Sequence, residues 1–385
     1  MKICVVTSTR ADFGLLRPLI KEIRNDSELT LQLIATGTHL SKEFGETYKE
    51  IESDFKIDKK IAMGLSDDSH LGTSRSMAHL QISVSETLSE LSPDIVVILG
   101  DRYEILSVAI SCMMLNIPIA HIHGGETTQG AIDEAIRHSI TKMSHLHFTA
   151  TDTYKKRVIQ LGEQPKRVFN VGSLGVESIQ KLKLLDKNEF EKSIGFKLGK
   201  KNLLVTYHPT TLENQTSKDQ FKELLYAIDE LEDTNIIFTK SNADSDAQVI
   251  NYMIDEYVKK NHNNTVAFES LGQLRYLSAL QFMDAVVGNS SSGIIEVPSF
   301  NKATINIGDR QKGRERASSI IDVDVTRNDI KSAIEGIYCD EFKNTLKNNH
   351  NPYKADDTAK NIKNIIKVTP LHGILKKEFY DLKVQ

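Results

Sequence analysis

The chain has 385 residues, 39% hydrophobic and 26% charged, which is typical of a globular protein with more than one domain. Its 48 basic and 52 acidic residues leave a net charge of −4, so nothing attracts it generally to nucleic acids or anionic membranes. The N-terminus shows neither a signal peptide nor a membrane span. We therefore expect a cytoplasmic protein that binds neither nucleic acid nor membrane.

Short apolar runs alternate with helical patterns from the first residues onward. Strands are predicted at KICVVTS (2–8), LTLQLIATG (29–37), DIVVILGD (94–101), IPIAHIH (117–123) and HLHFTAT (145–151). Helices are predicted between them, and LLRPLIKEIRND (15–26) carries Leu16, Leu19, Ile20 and Ile23 on one face. Cys4 and Cys112 lie in these apolar runs as predicted buried thiols, and no cysteine spacing suggests zinc. Strand–helix alternation of this kind predicts a doubly wound parallel sheet.

The pattern restarts in the second half of the chain. Further strands are predicted at KNLLVTYHP (201–209), TNIIFTKSN (234–242), DAVVGNS (284–290) and KATINIGD (302–309). The segment Val168–Gln180 contains two glycines and is the predicted hinge. The sequence thus indicates an N-terminal Rossmann-like domain over 1–172, a C-terminal one over 173–365, and a tail or crossover helix over 366–385. Ligands of such sheets bind beyond the carboxyl ends of the strands.

Charged side chains follow the first and third predicted strands. Arg10, in TSTRADFG, lies where a helix begins and suits a phosphate, through its guanidinium and the backbone N–H groups. The alternative is a surface arginine in a turn. In GDRYE, Asp101 suits acid/base work or the orientation of a neighbour, and Arg102 suits a phosphate. The alternative there is a helix N-cap aspartate beside an ion-paired arginine.

The next strand leads into the stretch IAHIHGGETTQGAIDEAIRH (119–138). Asp133 and Glu134 fall in the first turn of a predicted helix, each one turn before a basic side chain. Acidic residues favour that end of a helix anyway, so a structural role accounts for either of them. It does not account for Glu126 and His123 beside a glycine pair that permits a tight turn and close ligand approach. The stretch therefore predicts a proton-transferring site.

The second half carries the strongest local signal, VVGNSSSGIIEVPSF (286–300). Ser290 and Ser291 supply hydroxyl and N–H groups at the start of a helix, and together with Gly293 they form a predicted phosphate site without a lysine. Glu296, placed within that helix, suits the two hydroxyls of a ribose. The alternative is a serine N-cap. No GxGxxG or Walker motif is present, which argues against classical dinucleotide binding and P-loop chemistry.

Two further strand ends carry basic side chains. His208, in TYHPTT, suits phosphate contact or proton transfer near neutral pH, or is a partly exposed structural histidine. GDRQKGRER (308–316) offers four basic residues, of which one or two, Arg310 first, are expected to reach a diphosphate. The second half therefore has the character of a nucleotide-diphosphate holder and the first half that of an acid/base site.

In combination, these motifs resemble the hydrolysing UDP-N-acetylglucosamine 2-epimerases of sialic acid biosynthesis. The motifs are STRADFG, GDRYEI, HIHGGE, DEAIRHSITKMSHLH, GNSSSGIIEVPS and TINIGDRQKGR, in order from about residue 2 to residue 365. The resemblance implies a GT-B-type α/β fold, two Rossmann-like domains facing across a cleft. It also implies elimination of UDP to a 2-acetamidoglucal, then hydration to N-acetylmannosamine, with no cofactor and no metal. UDP-sugar and UDP are the implied ligands, and a homo-oligomer, dimer or tetramer, is the implied assembly.

The resemblance also assigns residue roles. It places Asp101, Glu126 and Asp133 in the acid/base set and His208 on the phosphates, where it would assist the leaving group. The remaining implied substrate and UDP contacts are Arg10, Arg102, His123, Asn242, Ser290, Ser291, Glu296 and Arg310.

One position departs from the wider superfamily. Non-hydrolysing epimerases carry glutamate where this chain has His123, so a carboxylate role cannot be transferred there, and Glu126 is the expected carboxylate with His123 as its partner. Three alternatives stay open: the same chemistry on UDP-N,N′-diacetylbacillosamine, a non-hydrolysing epimerase, and a retaining GT-B glycosyltransferase. A non-catalytic sensor would leave GDR and HGGE without a purpose.

Overall fold

The computed structural model describes residues 1–65, 69–128, 131–209, 216–241 and 247–382. The chain divides into two compact units. Unit 1 contains Met1–Glu126, Asp133–Ser178 and Ala355–Gln385, and unit 2 contains Thr127–Ile132 and Ile179–Lys354.

Unit 1 is built on a seven-stranded parallel sheet in the order β3-β2-β1-β4-β5-β6-β7. Its strands are β1 (Lys2–Thr7), β2 (Thr30–Ala35), β3 (Lys59–Lys60), β4 (Ile95–Leu99), β5 (Ile119–Ile122), β6 (Leu146–Thr149) and β7 (Val168–Asn170). Its α-helices before the crossing to unit 2 are α1 (Arg10–Arg24), α2 (Tyr48–Glu52), α3 (His70–Leu91), α4 (Tyr103–Met114), α5 (Asp133–Met143) and α6 (Asp152–Gln160). Helix α7 (Leu174–Lys181) begins in unit 1 and ends in unit 2. Two 3₁₀ helices, Gly37–Leu40 and Pro165–Arg167, complete this part.

The central strand β4 shows why the sequence pattern worked. All five of its residues are buried. Ile95, Val97 and Leu99 join one hydrophobic cluster, and Val96 and Ile98 join another. A strand covered on both faces reads as a continuous apolar run. The predicted buried thiols, Cys4 and Cys112, are confirmed in the second cluster.

Helix α1 begins with a capping box. The Thr9 side chain accepts from the backbone N–H of Asp12, and the Asp12 carboxylate accepts from that of Thr9. The four apolar residues predicted for one face of this helix are all fully buried. The helix start is thus specified by local capping and its orientation by burial.

Unit 2 repeats this architecture with a six-stranded parallel sheet in the order β10-β9-β8-β11-β12-β13. Its strands are β8 (Lys201–Thr206), β9 (Thr234–Thr239), β10 (Thr265–Phe268), β11 (Ala285–Gly288), β12 (Ala303–Ile307) and β13 (Ile320–Val323). Its α-helices are α8 (Lys187–Ile194), α9 (Ser217–Asp229), α10 (Ala247–Lys260), α11 (Gly272–Leu280), α12 (Ser291–Ile295), α13 (Arg327–Gly336) and α14 (Asp340–Lys347), with a 3₁₀ helix at Val297–Phe300.

Each sheet has one point where the strand order reverses. In unit 1 the first strand lies between β2 and β4, and in unit 2 the strand β8 lies between β9 and β11. In doubly wound sheets the loops at the carboxyl ends of such strands form the ligand site. The polar motifs GDR and GNSSS follow β4 and β11.

The chain returns to unit 1 for its last helix, α15 (Thr358–Val368). Ala359, Ile362 and Ile366 of this helix belong to the core of unit 1, and Thr358 Oγ1 donates to the backbone oxygen of Val171 at 2.7 Å. The predicted second domain ran to residue 365, whereas unit 2 ends at Lys354. The difference arises because an amphipathic pattern shows which face is buried but not which core buries it.

The segment after α15 also lies on unit 1. Lys377 Nζ contacts Glu163 Oε2 at 2.7 Å, and Tyr380 N–H donates to the backbone oxygen of Gly162 at 2.9 Å. Residues 366–385 were predicted to be either a tail or a crossover helix. Residues 371–382 are not a free tail, because they contact unit 1.

Candidate active site

Loops after two strands of unit 1 carry three of the acid/base candidates. Asp101 follows β4, and His123 and Glu126 follow β5. Strands β4 and β5 pair in register, with Leu99 beside Ile122, so these loops leave adjacent points of the sheet edge.

The side chains of these two loops meet at Arg137, on helix α5. Its Nη2 pairs with Asp101 Oδ2, and its Nη1 lies 3.3 Å from Glu126 Oε2. The other oxygen of Glu126 lies 2.7 Å from His123 Nδ1. Arg137 and Glu126 are each 2% exposed and His123 is 7% exposed. One buried guanidinium thus holds two carboxylates, one of which holds an imidazole.

The backbone of the glycine turn is constrained as strongly as its side chains. His123 has φ +65°, in the left-handed region that side chains rarely adopt, and its N–H donates to the Phe148 oxygen at 2.8 Å. Gly125 has φ +78°, and a Cβ there would collide with the backbone oxygen of Tyr154. The turn requires glycine at 125 and accepts strain at 123. Such strain tends to occur at functional sites.

Two neighbouring histidines, His121 and His138, have hydrogen-bond partners within unit 1. His121 is fully buried in β5, where its Nε2–H donates to the Gly100 oxygen at 2.8 Å. Burial lowers the pKa of His121 to about 3, so the ring stays neutral. His138 pairs with Glu134 at 3.1 Å on α5, as the one-turn spacing predicted. Asp133 is the first residue of α5, one turn before Arg137.

The two arginines predicted to bind phosphate in unit 1 have carboxylate partners. Arg10 makes a two-point ion pair with Glu50, at 2.7 and 3.1 Å. Arg102 is the N-cap residue of α4, and its Nε lies 3.1 and 3.2 Å from the two oxygens of Glu104. Burial raises the pKa of Glu104, and Arg102 opposes that rise. The structural alternative for GDRYE predicted an N-cap aspartate beside an ion-paired arginine. The ion-paired arginine is confirmed, but the N-cap residue is Arg102 and not Asp101.

Two buried charged groups of this edge, Arg137 and Asp12, were not predicted from the sequence as site residues. Arg137 was predicted only as the basic residue one helical turn after Asp133, because no spacing rule shows that an arginine is 2% exposed. Asp12 is buried and also accepts from Ser8 N and Ser8 Oγ, at 2.9 and 2.8 Å. The pattern Thr-x-x-Asp before an apolar run is a capping signature that identifies Asp12.

In unit 2, the polar cluster forms around Asn289, which is fully buried directly after β11. Its side chain makes two hydrogen bonds to the backbone of His208, at 2.7 and 2.8 Å. Its own backbone oxygen accepts from Arg310 Nη1 at 3.1 Å and from Gln311 Nε2 at 2.8 Å. Three of the predicted UDP-binding segments, those of His208, Ser290 and Arg310, are thereby brought together.

The close approach of strands β11 and β8 at the end of β11 depends on a glycine. Gly288 has φ +137°, and a Cβ there would overlap the backbone oxygen of Thr206. Ser290 then caps α12 and accepts from Ser292 N–H at 3.4 Å. The structural role proposed for this serine, an N-cap, is therefore real.

Glu296 is not inside a helix as predicted. Helix α12 ends at Ile295, and Glu296 is its C-cap residue before the 3₁₀ helix Val297–Phe300. The Ser292 hydroxyl donates to Glu296 Oε2 and lies 2.6 Å from the Tyr276 hydroxyl. Burial, and secondarily the charge of Glu296, raise the pKa of Tyr276. The carboxylate is thus oriented by the Ser292 hydroxyl, which in turn contacts the Tyr276 hydroxyl.

The basic loop of unit 2 has a second contact besides Asn289. Arg314, 7% exposed, donates through Nε to the Thr127 oxygen at 2.9 Å and through Nη2 to Thr128 Oγ1 at 3.3 Å. Lys312 forms an exposed pair with Asp309. Among the four basic residues, one therefore reaches the GNSSS segment and another is used for structure.

Asn242 lies outside the described residues, so its predicted role stays a prediction. In the parts of the chain that the structure describes, no three His, Cys, Asp or Glu side chains are grouped to bind a metal ion. No helix in those same parts has both the length and the apolar character needed to cross a bilayer.

A family model described as UDP-N-acetylglucosamine 2-epimerase matches residues 21–367. This chain belongs to that family. A relative from Campylobacter jejuni named GDP/UDP-N,N′-diacetylbacillosamine 2-epimerase (hydrolyzing) is 49% identical over 99% of both chains. The Escherichia coli polysialic acid biosynthesis protein P7 is 43% identical over 99% of this chain and 97% of its own.

The same fold occurs in a solved structure of the UDP-GlcNAc 2-epimerase of Neisseria meningitidis bound to UDP-GlcNAc. That structure superposes with a TM-score of 0.81 and 19% identity, over 96% of this chain and all of the other. The predicted family, enzyme class and α/β fold class are confirmed. The 2-epimerase family membership makes the carboxylate–arginine cluster of unit 1 the candidate acid/base centre.

Proposed function

We propose that this 2-epimerase is of the hydrolysing type and converts a nucleotide-activated 2-acetamido sugar and water into the free C2 epimer and the nucleoside diphosphate. In the first step a base takes the C2 proton, the C2–H electron pair forms the C1=C2 bond, and the C1–O bond breaks onto the diphosphate. In the second step a proton adds to C2 from the opposite face and water adds to C1, losing a proton. The two steps together involve no net oxidation or reduction.

One observation carries this proposal: Asp101 and Glu126 meet at a single buried arginine, and His123 contacts Glu126. Epimerisation through an elimination needs one group to remove a proton and another to return it on the other face. Groups held by one guanidinium are preorganised for this task. In the proposal these residues and Asp133, at the start of α5, form the acid/base set.

Unit 2 supports the nucleotide part of the proposal. We assign the diphosphate to Ser290, Ser291 and Arg310, with His208 assisting the leaving oxygen. Glu296, oriented by the Ser292 hydroxyl, suits the ribose diol because charge-assisted hydrogen bonds to hydroxyls are strong. Arg10, Arg102 and Asn242 remain proposed substrate contacts. To contact the substrate, each of the two arginines must either bind it together with its present carboxylate partner or release that partner. The partners are Glu50 for Arg10 and Glu104 for Arg102.

Two sugars compete as the substrate. The motif resemblance favours UDP-N-acetylglucosamine and N-acetylmannosamine as product. The Campylobacter relative, at 49% identity, is named for N,N′-diacetylbacillosamine and for both GDP and UDP. The relative named for polysialic acid biosynthesis is 43% identical over a similar share. We therefore place the diacetylbacillosamine nucleotide first and UDP-N-acetylglucosamine second, both turned over without a metal or redox cofactor by a cytoplasmic homo-oligomer.

The test is incubation of the purified enzyme with each sugar nucleotide in D₂O after treatment with EDTA, read by ¹H NMR. We expect a free sugar with inverted C2 that carries deuterium there, and release of the nucleoside diphosphate. UDP and GDP forms of both sugars are compared for kcat/KM. A sugar product without deuterium, or a product that stays nucleotide-bound, contradicts the hydrolysing elimination. Turnover of UDP-N-acetylglucosamine at least tenfold above the bacillosamine nucleotide reverses our order of substrates.

A further inference from the structure

His123 holds a buried nitrogen with no hydrogen-bond partner among the described residues. The side chain is 8% exposed, and Nε2 is that atom. Buried polar atoms are nearly always paired, so such an atom needs a physical reason. His121, two residues earlier and inside β5, has both of its ring nitrogens near partners, Gly100 O at 2.8 Å and Thr141 Oγ1 at 3.4 Å.

The tautomer of His123 follows from its neighbours. Arg137 pairs with one oxygen of Glu126, which favours the ionised carboxylate, and an ionised carboxylate only accepts hydrogen bonds. The contact of 2.7 Å between Glu126 Oε1 and His123 Nδ1 is therefore donated by Nδ1–H. A neutral imidazole that carries its proton on Nδ1 has a lone pair on Nε2.

The backbone supports a role beyond packing. A histidine at φ +65° costs conformational energy that a glycine would not. His123 therefore has the arrangement of a general base. Its Nε2 lone pair is buried, the Glu126 carboxylate orients the ring from behind, and Arg137 holds Glu126.

We propose that Nε2 of His123 is the base that removes the C2 proton, and this inference rests on the proposed function. The proton moves from C2 to Nε2, and the C2–H electron pair forms the C1=C2 bond. The C1–O bond breaks, and its electron pair leaves on the diphosphate. The imidazolium that results is stabilised by Glu126, which is a positioning residue in this step. Among the described residues, Glu126 contacts this ring, Arg137 lies behind Glu126, and His121 is close enough to interact with the ring electrostatically.

The first experiment replaces His123 by glycine. Glycine accepts the positive φ, so the variant avoids the strain that other substitutions keep, and it leaves space where the ring was. We expect elimination, followed as release of nucleoside diphosphate, to slow by about 10²–10⁴-fold, which is the usual value of a general base. The affinity for UDP, measured by calorimetry, stays within about twofold of the parent because the UDP residues lie in unit 2.

Chemical rescue then separates a base from a merely structural ring. Imidazole added to His123→Gly restores elimination at least about tenfold, whereas pyrazole, of the same size but far weaker as a base, does not. His262→Gly, at an exposed turn of unit 2, controls for effects of the azoles on the rest of the enzyme. Imidazole leaves the rate of this control unchanged.

The second half-reaction locates the role. With 2-acetamidoglucal as substrate, we measure the rate at which His123→Gly hydrates the double bond. We expect the substitution to slow this hydration by a smaller factor than it slows elimination. Elimination within about threefold of the parent, no restoration by imidazole, or equal restoration by pyrazole overturns the proposal. Loss of hydration with elimination retained also overturns it. Failure of the proposed function is a separate result, since then the parent enzyme itself releases no nucleoside diphosphate from either sugar.

Discussion

Arg137→Met tests how much the buried guanidinium contributes to unit 1. Arg137 and Glu126 are each 2% exposed, so the substitution leaves a buried carboxylate without its counter-charge. Removing one partner of a buried ion pair costs about 3–5 kcal/mol, because the remaining charge stays desolvated. The methionine side chain fills a similar volume, so this cost reflects charge and not a cavity.

Arg17→Met is the matched control. Arg17 pairs with Asp54 on the surface of unit 1, where the two side chains are 46% and 31% exposed. Solvent screens such pairs, and they contribute about 0–1 kcal/mol. In a unit of roughly 200 residues, 1 kcal/mol moves the midpoint by about 2–4 °C. We therefore expect the unit 1 transition to fall by about 6–20 °C for Arg137→Met and by less than about 4 °C for Arg17→Met.

The assay is differential scanning calorimetry of the parent and both variants at pH 7.5 and at pH 4. Protonated carboxylic acids need no counter-charge, so the difference between Arg137→Met and the parent narrows at the lower pH. Equal midpoints for the two variants at pH 7.5 would refute the buried-charge reasoning. A difference that does not narrow at pH 4 would show that the loss comes from packing.

Three further predictions use single substitutions. Glu126→Gln should abolish turnover, while the Kd of this variant for UDP, measured by calorimetry, stays at the parent value. Glu296→Ala should raise the Kd for UDP about 10–100-fold, which corresponds to the loss of one charge-assisted hydrogen bond. Equal losses of UDP binding in the two variants would contradict the division of roles between the units. Gly288→Ala should fail to yield folded protein because its Cβ overlaps a neighbouring strand's backbone, whereas Gly336→Ala, with open space in helix α13, should unfold at the same or a higher temperature; similar melting curves would argue against the clash. Burial raises the pKa of Glu163, but a histidine and two lysines bring it down to about 2. Its contribution to stability is therefore present above pH 4.5 and lost as the pH falls toward about 2, so Glu163→Gln should flatten the pH dependence of urea unfolding in that window, and parallel curves would contradict this.

Periodicity and composition were enough to predict most strands of both sheets and the residues that follow them. Strands β1, β4, β5, β8, β11 and β12 lie within the predicted runs because parallel strands buried on both faces read as continuous apolar sequence. The four edge strands, β3, β7, β10 and β13, were not predicted, because short or partly exposed edge strands lack that signal. Asp101, Glu126 and Ser290 were predicted next to strand ends, and they follow β4, β5 and β11.

Strand order decided which of those residues meet. Asp101 and Glu126 are 25 positions apart in sequence, yet β4 and β5 are neighbours in the sheet and deliver both to Arg137. Spacing along one helix paired Arg137 with Asp133, since a linear pattern contains only contacts within one element. The bridge to the carboxylates of two other loops exists only after the sheet has formed.

Burial decided the rest. The sequence shows that His123 is near Glu126, but not that Nε2 is shielded from water while Nδ1 is bonded. The periodicity of α15 likewise shows an apolar face without showing that unit 1 covers it. Local sequence specifies the ends and faces of elements through short-range capping and period. Partners and desolvation depend on which elements pack together, and that is a property of the whole chain.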